Sequence, residues 1–303
     1  MNANSSFSEK QNSAKSLGLL RASSYYYGRA KNVLAAQFIL AVPGALFLSL
    51  LITSCPSAKV WGVLYSVTVA LVDSLWLDRW QGRLRSLGAK TQEEFDTFLF
   101  GLKWRKLQVG ARLAAEDLVG AFRKHPDSDA TLKDWYPAIA GELPFPLGVL
   151  VCQRINVWWD SEVRRKLGYA LLVLLFFSVF VIVALAVATK QPTDKLILSI
   201  VSPLLPVGLW CMREALRQFD ASRKLDATKS AIVASWDEAL QGKLEDSTAT
   251  VTEFQAAIYD GRSRHPLVFN WIHRLFRPEG QETMHAMSER LVAEVRDRSP
   301  KPA

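Results

Sequence analysis

Two stretches of this 303-residue chain set arginines and aromatic rings close together. The first holds Arg154, Trp158, Trp159, Arg164 and Arg165. The second holds Arg262, Arg264, His265, Trp271, His273 and Arg274. A guanidinium presents a fork of donors to phosphate oxygens, and an aromatic face stacks on a base. Both stretches are therefore candidate contacts for a phosphorylated ligand or a partner. The plainer readings are anchoring at a membrane surface for the first and core packing for the second. A further set is polar or helix-breaking within apolar surroundings: Gln37 and Asp73, then Ser202, Pro203 and Pro206. Ionisable groups inside a membrane span are costly and often functional.

Covalent chemistry has no signature here. There is no glycine-rich phosphate loop, no HExxH, no nucleophile elbow and no Cys/His metal spacing. Cys55, Cys152 and Cys211 are scattered and odd in number, which gives neither a metal set nor a disulfide framework. His273 and His285 could share a neighbourhood, but two histidines alone do not make a metal site. The expectation is a protein that is not an enzyme and uses no cofactor.

The elements that must position these residues are apolar runs. Residues 33–53, 60–77, 168–189 and 196–212 are four candidate spans. A crossing helix needs about 20 apolar residues. The shortest run reaches roughly 25 Å, sufficient with some thinning or flanking anchors. SCPSAK joins the first two runs and KQPTDK the last two, so each pair is a tight hairpin. In the first hairpin Gln37 and Asp73 fall at similar depth, where Asp73 reaches water or hydrogen-bonds Gln37. Pro43, Pro203 and Pro206 invite kinks. Ser199, Ser202 and Gly208 permit close helix contact, as a packing seam or a hinge.

Charge sets the orientation. The chain carries a net +8 at pH 7, with a pI near 9.4 and a mean hydropathy of only +0.08, a mixture of membrane and water-facing segments. Lys10, Lys15, Arg21, Arg29 and Lys31 precede the first span. Arg79, Arg83 and Arg85 follow the second, and Arg213 and Arg217 the fourth. By the positive-inside rule both termini and the central segment are cytoplasmic. Tyr25 to Tyr27, Trp76, Trp80, Trp158, Trp159 and Trp210 mark the same boundary.

The expected fold class is an all-α membrane protein, with four transmembrane helices in two hairpins plus a cytoplasmic helical domain. The division is a polar N-terminal segment (1–32), hairpin one (33–77), a cytoplasmic helical segment (78–167), hairpin two (168–212) and a cytoplasmic C-terminal helical segment (213–303). The Ser- and Asn-rich N-terminus has no apolar stretch of a secretory signal and reads as a frayed tail. Thr91 reads as an N-cap with acidic residues in the turn behind it. HPDSDA and PAIAGELPFP read as breaks. A helix from about Pro146 runs through Trp158 and Trp159 into span three. Another leaves span four and ends near Gly242, and two or three shorter helices follow.

Several stretches resemble the S-4TM family of pore-forming effectors, four-span proteins associated with bacterial nucleotide-second-messenger synthases. YGRAK, residues 27–31, is similar to the family's Tyr-x-x-Ala-Lys element before span one. LPFPLGVLVCQRINVWWDSEVRRK is similar to its Cys-Gln-Arg, Asn, Trp-Trp-Asp and Leu-Arg element, the most specific part. FQAAIYDGRSRHPLVFNWIHRLFR resembles its Gln-x-x-Ile-Tyr, Arg and Pro element, and Glu282 and Met284 fit as well. Val163 stands where Leu is expected and Asn270 where Asp is expected. The resemblance implies an effector of cyclic-oligonucleotide anti-phage signalling in the bacterial inner (cytoplasmic) membrane. A nucleotidyltransferase-linked system would trigger it, and leakage would stop growth of the infected cell by abortive infection. No nucleic acid polymer is implied. Four spans are too few to enclose a pore, so this reading requires a homo-oligomer in the lipid bilayer. The alternative is a non-conducting, membrane-anchored interaction or scaffold protein.

Overall fold

The computed structural model describes residues 3–44, 47–48, 51, 55, 57, 59–124, 131–189 and 202–298. The described residues are mostly helical, joined by turns and short irregular stretches, without a strand. Helix α1 is Ala3–Gln11, and α2, Ala14–Ile39, passes into a π turn at Leu40–Gly44. Helix α3, Lys59–Val72, continues through a second π turn, Asp73–Leu77, into α4, Asp78–Phe100. Short helices α5, Lys106–Val109, and α6, Ala115–Arg123, precede a 3-10 turn at Ala138–Glu142. The long helices are α7, Leu147–Thr189, and α8, Ser202–Leu240. Helices α9, Ser247–Arg264, and α10, Asn270–Arg298, complete the order.

Two pairings organise the molecule, α2 on α4 and α7 on α8. Small residues let the first pair close. Ala22, Ala30 and Ala89 are fully buried, and the Ser23 hydroxyl donates to the Gly88 carbonyl at 3.0 Å. Ser161 and Ser222 do the same for the second pair, with their hydroxyls 2.9 Å apart. The main core gathers Leu20, Phe95, Leu150, Val151, Ile232 and Val251 from α2, α4, α7, α8 and α9. Each fully buried Leu, Ile or Phe stabilises the fold by about 1.5–3 kcal/mol.

Two helices among the described residues are long and apolar enough to cross a membrane, within Val60–Phe100 and Leu147–Ala184. Their apolar windows are almost unburied. Val60, Trp61, Val67 and Leu71 are exposed on one, and Val173, Phe176, Phe177 and Phe180 on the other. An apolar surface this large is not tolerated in water without a partner or a lipid phase. The first expected span runs past the π turn, and the fourth begins at residues 196–201. Residues 45–46, 49–50, 52–54, 56, 58 and 190–201, with half of the first hairpin turn and all of the second, lie outside the described residues, as does HPDSDA at 125–130.

Helix α7 begins at Leu147 and runs unbroken into the apolar run, as expected from the Pro146 boundary. Helix α8 ends where Gly242 takes a φ of +69°. Lys243 N–H returns to the Glu238 carbonyl at 2.9 Å and Gly242 N–H to Ala239 at 3.1 Å, a left-handed C-terminal cap.

Two expectations are corrected. The N-terminus is not a frayed tail. Gln11 is buried and pairs with the Tyr136 backbone in both directions at 3.1 Å, and Phe7 lies against Gly141. Ser13 caps α2, accepting from Ser16 N–H. Nor does Thr91 begin a helix. It lies inside α4, fully buried, with its hydroxyl donating to the Leu87 and Gly88 carbonyls at 2.9 Å. The acidic residues behind it face the core.

Candidate coupling site

The junction between the helical body and the apolar end is built on Arg164. Its position on α7 points it at α8 and at the loop before α10. Nη1 donates to Gln218 Oε1 at 3.0 Å and to the Pro266 carbonyl at 2.7 Å. Nε stands 3.0 Å from Asp160 Oδ2, one turn earlier on α7. Gln218 passes the connection along α8, donating to Glu214 at 2.7 Å. Burial alone would raise the Asp160 carboxyl, but the adjacent Arg164 brings it below its ordinary value. One guanidinium thus ties three segments, a task suited to its fixed fork of donors.

Apolar contacts repeat this link. Val163, Val268 and Ile272 form a buried cluster with Trp159, Leu167, Phe269 and Phe276 packed on it. The Trp159 ring lies so close to Gly280 that a Cβ there would fall 1.5 Å from it. On the α8 side Gly168 fits against Phe219, where a Cβ would come within 2.8 Å. His265 and His273 share this neighbourhood. Burial first, then the positive charge of Arg164 on His265 and of Lys31 on His273, lowers both imidazoles to about 4.

A second polar network lies deeper in the body. Asp96 and Glu93 on α4 are fully buried. Arg262 Nη1 meets Asp96 Oδ2 at 2.5 Å, and Tyr136 donates to Asp96 Oδ1 at 2.9 Å. Gln255 donates to Glu93 at 2.8 Å and to Asp96 at 3.0 Å, and Gln153 donates to Gln255 at 3.2 Å. Arg105 pairs with Glu93 at 3.0 Å. Burial pushes Glu93 up to about 7, against the Gln255 hydrogen bond. Asp96 raises the Arg262 guanidinium against its own burial.

The structure brings the two arginine-aromatic stretches together at this junction, but it engages several members internally. Arg164 and Arg262 are bonded as described. Arg165 pairs with Glu162 and Asp226, each at 3.1 Å. Arg154 is half-buried, with Glu294 and Asp237 as its acidic neighbours. Trp158 lies beside Trp159, ring centres 6.3 Å apart. Arg264 is exposed and paired with Asp260 at 3.0 Å, and Trp271 is exposed. His273 and His285 do not meet, because 12 residues along α10 separate them by about 18 Å.

The remaining candidates lie at the apolar end. Gln37 and Asp73 are joined by a hydrogen bond, and Gln81 donates to Gln37 at 2.7 Å. Ser202, Pro203 and Pro206 lie in α8, next to the residues outside the described set. Sequence reasoning missed Glu93, Asp96, Gln153 and Gln255. The available signal was a run of acids on the apolar-spaced face of α4, opposed only by residues remote in sequence.

A sequence model described as the SMODS-associating 4TM effector domain matches residues 5–291. The chain is 26% identical over 294 residues to a protein of Bacillus cereus (strain VD146) named "Probable CBASS effector molecule", covering 93% of this chain and 97% of the relative. No solved structure matches.

Proposed function

The chain belongs to the SMODS-associating 4TM effector domain family, and on that premise we propose that it is a ligand-gated, pore-forming effector of anti-phage defence. It sits in the bacterial inner membrane with four spans and both termini in the cytoplasm. A cyclic oligonucleotide from a linked synthase drives its homo-oligomer to open, and leakage halts the infected cell. It performs no covalent chemistry. The observation that supports this reading is α7, a single helix whose first half is buried in the polar body and whose second half is bare and apolar. A signal received by the body has a continuous path into the bilayer. Arg264 and Trp271 remain exposed to that signal, while Arg164 and Arg262 are bonded internally.

The test is leakage of ions and dye from liposomes carrying the purified chain, with and without a panel of cyclic di- and trinucleotides. Leakage on one ligand supports both pore and sensor. Leakage without ligand keeps the pore and moves the trigger to a partner. No leakage with insertion verified overturns the reading in favour of a non-conducting scaffold.

A further inference from the structure

A groove of about 630 Å³ opens between the π turn that ends α2 and the outer face of α8. Its wall on α8 is one helical stripe that changes character along its length. Leu209, Trp210 and Met212 come first, then Arg213 and Arg217, one turn apart, with exposed Leu216 between them in sequence. Val42 supplies the opposite wall. Trp210 is held in place by Phe38, ring centres 4.8 Å apart. Leu209 and Met212 are exposed, as are Arg213 and Arg217.

The charge in the groove is unbalanced. Arg217 has Glu214 at 3.6 Å, a long and half-exposed pair. Burial raises the Glu214 carboxyl, and Glu214 also accepts a hydrogen bond from Gln218. Asp220, at the far end of the groove, is bonded to Arg223. Arg85 feels Arg217 as its foremost like charge. An anion between Arg213 and Arg217 would relieve this crowding. The apolar upper stripe asks for a ligand with a hydrocarbon part on the same side as the span. A volume near 600 Å³ lies in the range of small-molecule sites.

We propose that this groove binds one anionic phospholipid of the cytoplasmic leaflet, its phosphate between Arg213 and Arg217 and its upper chains along Leu209, Met212 and Val42. Basic pockets beside membrane helices on the cytoplasmic side hold acidic headgroups in this way. The inference rests on the membrane-spanning reading of α8, and its test is independent of conductance.

The full chain, purified in neutral detergent and delipidated, is titrated with phosphatidylglycerol, phosphatidylcholine or inorganic phosphate, and bound lipid is counted by native mass spectrometry. The expected result is one retained phosphatidylglycerol per chain, weaker phosphatidylcholine, and no displacement by millimolar phosphate. R213Q/R217Q should reduce phosphatidylglycerol retention about thirtyfold, with helical circular dichroism unchanged, and R213K/R217K should keep most of it. Equal retention of the two lipids, undiminished retention by R213Q/R217Q, or displacement by phosphate overturns the proposal. Lipid retention without leakage would keep this site and remove the pore. Leakage without retention would do the reverse.

Discussion

Gln37, near the end of α2, donates to Asp73 across 2.6 Å, and Asp73 is the first residue of the π turn that interrupts the α3–α4 helix. A side-chain bond therefore lands where the backbone ladder is already irregular. Gln37 is held from both sides, donating to Asp73 and accepting from Gln81. A double-mutant cycle with Q37L and D73L, followed by thermal unfolding in detergent, should give a coupling of about 0.6–1.7 kcal/mol. Strict additivity would show that the contact contributes nothing to the hairpin.

Replacing Arg164 should be among the most damaging single changes in the body. R164L leaves Asp160 without its cation and the Pro266 carbonyl without its donor. The expected loss is about 3–5 kcal/mol. R164K should recover only part, since an ammonium cannot reproduce the fork. D160N/R164L should be milder than R164L alone, because no buried charge is then left unpaired. Unfolding midpoints of the three variants check this order.

The titrating groups oppose each other. Glu93 rises from an ordinary 4.5 to about 7 in the fold. Its contribution is present below 4.5 and lost as pH climbs through 7, about 3 kcal/mol in all. His265 and His273 fall from 6.5 to about 4. Their contribution is present above 6.5 and lost as pH drops through 4. Two histidines outweigh one carboxyl, so these groups together favour stability near pH 6.5. The difference between wild type and E93Q isolates Glu93: E93Q should gain on wild type as pH rises from 5 to 8. Parallel stability curves would refute the burial of an uncharged Glu93.

Gly280 has no room for a methyl group beneath the Trp159 ring. G280A should cost about 1–3 kcal/mol through overpacking. W159L should remove part of that cost, so that the double variant is less damaged than the sum of the singles. Additive losses in thermal unfolding would mean that α10 shifts freely instead.

If α7 and α8 carry the signal, a break in either should separate sensing from leakage. A proline inserted after Trp158 or before Arg217 removes helical hydrogen bonds near the junction. Basal leakage should persist while the response to ligand is lost. A full response in both insertions would exclude transmission along these helices.

Much of the helix plan could be read from pattern alone. The Pro146 boundary, the continuity of α7 through Trp158 and Trp159, and the stop at Gly242 all follow from local chemistry. The Gln37–Asp73 contact followed from equal depth in a hairpin. What local pattern cannot display is pairing between distant residues. Glu93 and Asp96 looked like the acidic first turn of a helix because their partners, Gln255 and Arg262, lie some 160 residues away. The N-terminus looked loose for a similar reason, since Gln11 is ordered by the backbone of Tyr136.

Gly168 follows 21 residues of α7, and the described helix runs on for 22 more from it, an apolar arm of about 32 Å or longer. The contacts of Arg164 with Gln218 and Pro266, and of Gly168 with Phe219, clasp the rod where its bare arm begins. A rotation of about 5° about that clasp would carry a point about 32 Å along either arm by about 3 Å, in opposite directions. Helix displacements of 1–2 Å already accompany functional switching at protein interfaces. A change of a few degrees in how the body grips its end of α7 would therefore be enough, and the far end would swing the opposite way.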